Sequence, residues 1–152
     1  MSIKLKALVI DDSRVMRNMV MDSLRKTNLG EFEFVEAGDG AEALSKFQAD
    51  PPDIVFADWN MPKMTGIEFV RRVRASKSND HIPIVMITSE KTMGKVEEAI
   101  DRAGANAYIT KPFTVVELEK KLSRLVSGIA EHRSKATAKS AGGFFSRLLG
   151  GG

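Results

Sequence analysis

At 152 residues with 43% hydrophobic content, the chain has the length of one domain and enough apolar mass for a core. It has no cysteine, which excludes disulfide and thiolate chemistry, and no apolar run approaches the roughly 20 residues that span a bilayer. Its net charge of +3 sits in the tail: residues 1–127 hold 19 Lys+Arg and 19 Asp+Glu, whereas residues 128–152 set Arg133, Lys135, Lys139 and Arg147 against Glu131. The globular part is therefore not a polyanion binder by charge, and a nucleic-acid reader is disfavoured.

The N-terminus, MSIKLKALVIDDS, lacks a signal-peptide layout because its apolar run meets two acids. A soluble cytoplasmic protein is expected. Leu5 to Ile10 reads as a buried strand ending in Asp11-Asp12. Ser13 can cap a helix through about Asn28, with Val15, Met16, Met19, Val20 and Leu24 as its buried stripe. Glu31 to Glu36 alternates acids with apolar residues, a strand in a wetter setting. Asp39 and Glu42 are spaced as a capping box for a second helix. Pro51-Pro52 breaks the chain, and Ile54 to Ala57 forms a short apolar strand ending in Asp58. Trp59, expected to be partly exposed, then opens a loop in which Pro62 bars simple continuation of the strand.

Ile67, Phe69, Val70 and Val73 mark a third helix, with Arg71, Arg72 and Arg74 expected in solvent. Pro83 precedes a fourth strand, Ile84 to Ile87, which ends in Thr88. Lys91 to Ala103 is a weak helix, its apolar residues Met93, Val96 and Ile100 thinly spaced and Gly94 inside it. Such a segment suits movement at low cost. Ala105 to Ile109 is a fifth strand, followed by Lys111-Pro112. Thr114 and Glu117 cap a last helix running to about Glu131 on Leu118, Leu122, Leu125, Val126 and Ile129. His81 and His132 lie in polar settings without a partner motif and receive no catalytic role.

Alternation of five strands with five helices predicts an α/β fold, a (βα)5 doubly wound parallel sheet covered on both faces. The most apolar strands, one, three and four, should be central and two and five edges. That fits the flavodoxin-like order 2-1-3-4-5, with a switch point between strands one and three. Asp11, Asp12 and Asp58 then converge on one crevice, with Thr88 and Lys111 on the same rim. Carboxylates so placed repel unless a cation neutralises them. Oxygen donors without His or Cys suggest Mg²⁺. Metal, ammonium and hydroxyl around one carboxylate suit receipt of a phosphoryl group by Asp58.

The set Asp11-Asp12, Asp58, Thr88 and Lys111-Pro112 resembles the receiver domain of two-component response regulators, over roughly residues 3–130. Asp58-Trp59-Asn60-Met61-Pro62, Tyr108 and Lys111-Pro112-Phe113-Thr114 are similar to the chemotaxis type. The resemblance implies that Asp58 is the phosphoacceptor and that Thr88 and Lys111 bind phosphoryl oxygens. It implies a Mg²⁺ site of Asp12, Asp58 and the Asn60 carbonyl, with Asp11 acting through water. Tyr108 and Thr88 would be the switch pair, Asn60 and Glu90 would control dephosphorylation, and the bond before Pro112 would be cis. The implied partners are a histidine kinase and a protein target, such as the flagellar motor, on the face of helix four, strand five and helix five. A phosphorelay or pilus-type regulator is the alternative. Catalysis would be confined to the chain's own phosphorylation and dephosphorylation. An aspartate-nucleophile phosphohydrolase fits less well, since such enzymes carry Asp-x-Asp where this chain has Asp11-Asp12-Ser13. No DNA-binding output domain is read in the sequence.

A receiver at 1–131 is thus expected, then a flexible linker at 132–143 and an apolar segment at 144–152. On a helix, Phe144, Phe145, Leu148 and Leu149 form one stripe. It is read as a docking site for a second partner, ahead of a disordered end or membrane contact.

Overall fold

The structure is a computed structural model that describes the backbone of residues 2–150 and the side chains of residues 2–137. Five strands, β1 (Lys4–Ile10), β2 (Glu31–Ala37), β3 (Ile54–Ala57), β4 (Ile84–Thr88) and β5 (Ala107–Thr110), form one parallel sheet in the order β2-β1-β3-β4-β5. Between them lie α1 (Arg14–Arg25), α2 (Gly40–Ala49), α3 (Gly66–Arg74) and α4 (Met93–Glu97), and α5 starts at Val115. After α4 the chain continues as a wider π-type turn over Glu98–Ala103, closed by Gly104 at φ 97°. Such a left-handed cap suits glycine. No described helix is long and apolar enough to cross a membrane.

The strands bury alternate side chains on opposite faces. Leu8, Ile10, Val55, Ala57, Ile84 and Met86 face α2, α3 and the π-type turn through Phe47, Phe69, Val70 and Ala99. Leu5, Ala7, Val9, Ile54, Phe56, Val85 and Ile87 face α1 and α5 through Val20, Leu24, Leu118 and Leu122. β3 and β4 are buried at every position because helices cover both faces, while edge strand β2 keeps only Ala37 fully buried.

Several local expectations change. The buried stripe of α1 is Val20, Met21 and Leu24, with Met16 half-buried; Val15 and Met19 are exposed. The helix ends at Arg25, and its buried residues lie in its second half. Arg74 is not in solvent. Its guanidinium donates to the carbonyls of Gly104, Asn79 and Ile82 and to Asn106 Oδ1, tying α3 to the entries of β4 and β5. Met93 is 72% exposed, so α4 holds the core only through Val96 and, beyond it, Ile100.

His81 and His132 have a partner: each other. Their rings stack at 4.3 Å between centroids and 9° between planes. Arg133 donates to the Lys4 carbonyl at 2.9 Å and pairs with Asp53 at 2.9 Å. These contacts hold the first residues of the expected linker, and α5 runs unbroken from Val115 to Gly150. The physical reason lies in composition: Ala, Lys and Arg make up half of 132–143 and it has no proline, so it can propagate a helix. The docking stripe at Phe144, Phe145, Leu148 and Leu149 lies outside the described side chains.

Candidate functional site

The site lies where β1 and β3 end side by side. Ile10 pairs with Ala57, and the Asp58 N–H donates to the Ile10 carbonyl at 2.9 Å. This register brings the residue after β3 level with Asp11 and Asp12. Ligand oxygens of Asp11, Asp12 and Asp58 all lie within 4.8 Å of one another, the one such acidic or His cluster among the described residues. Asp11 is buried, Asp58 half-buried and Asp12 exposed.

Lys111 reaches this cluster from the end of β5. Its Nζ donates to Asp11 Oδ2 at 2.9 Å and stands 3.9 Å from Asp58 Oδ1. The Lys111 N–H is fixed by the Thr88 carbonyl at 2.9 Å, and the Lys111-Pro112 bond is cis. Thr88, with no exposed surface, ends β4 on the same rim. Burial pushes the Asp58 carboxyl above its usual range, while the Thr88 hydroxyl and the Lys111 charge pull it back. Three carboxylates against one ammonium leave an excess of negative charge. The donor set is oxygen alone, so it fits a hard divalent cation better than a transition metal.

Around this centre the loops are tied down. The Trp59 N–H donates to Asp58 Oδ1 at 2.9 Å, and the Gly66 N–H donates to the Trp59 carbonyl at 2.9 Å. Gly66 matters by close approach: a Cβ there would lie 2.0 Å from the Asp58 carbonyl oxygen. Trp59 is buried, not partly exposed, and Lys95 of α4 lies over its ring at 4.4 Å. Asn60 Nδ2 donates to Glu90 Oε1 at 3.0 Å, bridging the loops after β3 and β4. The Tyr108 hydroxyl donates to the Glu90 carbonyl at 2.7 Å. Its ring is buried, and that burial, with the Glu90 and Asp58 charges, pushes the phenol up to about 12.

All the residues expected at the strand ends therefore meet on one rim. Sequence reasoning missed Arg17, which binds the Asp11 carbonyl, and Gly66. For Gly66 the signal was the small residue after Thr65. For Arg17 there was none beyond its place one turn into α1.

Residues 7–123 match the family model described as the response regulator receiver domain. Among similar proteins, the chemotaxis protein CheY of Pseudomonas aeruginosa is 39% identical over 121 residues, 80% of this chain and 95% of that protein. Chemotaxis protein CheY-3 of Vibrio cholerae is 40% identical over 121 residues, 80% of this chain and 91% of that protein. In a solved structure, Vibrio cholerae CheY4 is similar with a TM-score of 0.71 and 39% identity, covering 81% of this chain and 99% of that one. Strand order, acidic cluster and matched span agree: the chain belongs to the response regulator receiver domain family, CheY-like within it.

Proposed function

We propose that this receiver accepts a phosphoryl group on Asp58 from a histidine kinase and passes the signal on by changed affinity for a protein target. The observation that carries the reading is the convergence of Asp11, Asp12 and Asp58 at two neighbouring strand ends, with Lys111 reaching them from the end of β5. Asp11, Asp12 and Asp58, with the Asn60 carbonyl, would hold Mg²⁺, which supplies charge neutralisation when bound.

The chain's own residues do the rest. An Asp58 oxygen attacks the donor phosphorus in line. A P–O bond forms, the P–N bond to the donor imidazole breaks, and an acyl phosphate remains on Asp58. Lys111 neutralises charge on the phosphoryl oxygens, and the Thr88 hydroxyl donates to one of them. The new group carries about −1.5 to −2 charge. Thr88 moves toward it, and the Tyr108–Glu90 contact reports that movement on the surface of α4, β5 and α5. Hydrolysis of the acyl phosphate needs water at Asp58. Its route is flanked by Asn60 and Glu90, both polar and joined by a hydrogen bond, which favours a short-lived signal.

The names of the relatives support a chemotaxis output, and a flagellar motor protein is the proposed target. The apolar residues of 144–152 are a proposed second contact. Deleting residues 140–152 should spare Asp58 phosphorylation and alter target binding.

Incubation with acetyl phosphate and Mg²⁺, followed by mapping of the acid-labile adduct, tests the reading. Modification of Asp58 alone is expected. Undiminished phosphorylation of Asp58→Asn would overturn it.

A further inference from the structure

Asp11 is tethered by every polar group it has. Its N–H donates to the Ala37 carbonyl at 3.2 Å. Its Oδ1 accepts from the Ser13 N–H at 2.9 Å, and its Oδ2 accepts from Lys111 at 2.9 Å. The remaining group, its carbonyl, accepts from Arg17 Nη1 at 2.7 Å. The same guanidinium donates through Nε to Glu36 Oε1 on β2 at 3.0 Å, and the Arg17 side chain is only 16% exposed.

We infer that Arg17 is a positioning residue for the acidic cluster, a fork from α1 that fixes the Asp11-Asp12 backbone against β2. The inference rests on the phosphoryl-transfer reading, because the cluster is what Arg17 would pre-organise. Two features of the geometry carry it. The bond is to the backbone of the loop and not to a carboxylate, so it sets where both acids point without competing for their oxygens. The anchor at the other end, Glu36, sits on a strand paired residue by residue with β1, so the fork spans fixed ground. The planar guanidinium can serve both acceptors at once, which a lysine ammonium on its flexible stem cannot do with the same geometry.

Charge and positioning predict opposite signs. Removing a cation near three carboxylates would, by Coulomb's law alone, tighten Mg²⁺ binding. Loss of a positioning contact would weaken it, and losses of such outer contacts run about tenfold or more. The experiment uses the full chain with Arg17→Met and Arg17→Lys. Mg²⁺ is titrated by calorimetry, and amide exchange of Asp12 and Ser13 is measured without metal. Expected are about tenfold weaker binding in Arg17→Met, a smaller loss in the same direction in Arg17→Lys, and faster exchange at both amides. Equal or tighter binding in Arg17→Met, or full restoration by Lys, would overturn the inference. If Arg17→Met fails to fold, the Lys variant decides by the same two readouts. If the unaltered chain itself neither binds Mg²⁺ nor is phosphorylated, the parent reading falls. The exchange rates then still decide whether Arg17 holds the loop.

Discussion

On the β1–β3 side of the sheet, each helix begins with a side-chain cap: Ser13 accepts from the Met16 N–H, Asp39 from Glu42 and Thr65 from Glu68. On the β4–β5 side, α4 begins at Thr92 without one, lasts five residues and gives way to a π-type turn. The first side is pinned where the carboxylates meet. The second lends the site Thr88 and Lys111 from its strand ends, while its α4 flank and Tyr108 connect to the site by a few polar contacts: Asn60 to Glu90, Tyr108 to Glu90 and Lys95 over Trp59. The contrast separates two tasks. Chemistry needs atoms held in place, and a response needs an element whose alternatives lie close in energy. This chain puts the first on the capped helices and the second on the short, uncapped one.

The sharpest way to break the contrast is Gly66→Ala. A methyl group there meets the Asp58 backbone, so a loss of about 3 kcal/mol is expected in chemical denaturation. A near-neutral result would mean that the site's backbone yields easily. Asp58→Asn should act in the other direction. Burial raises the Asp58 pKa, so its ionised form costs stability in the metal-free protein. The Asn variant should melt a few degrees higher at neutral pH. The gain should vanish as pH falls through the raised pKa and the carboxyl becomes neutral. A gain that persists in acid would count against desolvation as the cause.

Smaller effects belong to the loose side. At Gly94 a Cβ meets nothing within 4 Å, so Gly94→Ala should stabilise the fold by about 0.7 kcal/mol. It should also blunt the response to phosphorylation, read as a smaller change in target affinity. Lys95→Met removes the cation over Trp59 at a cost of about 0.5 kcal/mol and should shift Trp59 emission. An unchanged spectrum would show that Lys95 does not rest on the indole in solution.

Much of this was legible in the residues. β1, β3 and β4 are the most continuously apolar strands because both faces are covered, and each ends at a polar site residue: Asp11, Asp58 or, closing β4 itself, Thr88. That pattern is local, and it separated central from edge strands and marked the rim. What escaped depends on partners far along the chain. Arg74 looks like an exposed helix charge until the carbonyls of Ile82 and Gly104 come to meet it. His81 and His132 become a pair only when α5 brings His132 back to the segment that precedes β4. Trp59 is buried because Lys95 and the core close around it, and no nearby residue announces that. The helical run of 132–143 was hidden by its small polar residues, which suit a linker and a solvated helix equally well.

Amide hydrogen exchange on the full chain, with and without phosphorylation at Asp58, tests most directly the division between a held site and a movable flank. In the unphosphorylated protein, amides of residues 93–104 should exchange faster than those within α1, α2 and α3. On phosphorylation, their protection and that of β5 should change while the interiors of β1 and β3 stay as they were. Uniform protection across all the helices, or a phosphorylation response confined to α1 and α2, would contradict the account.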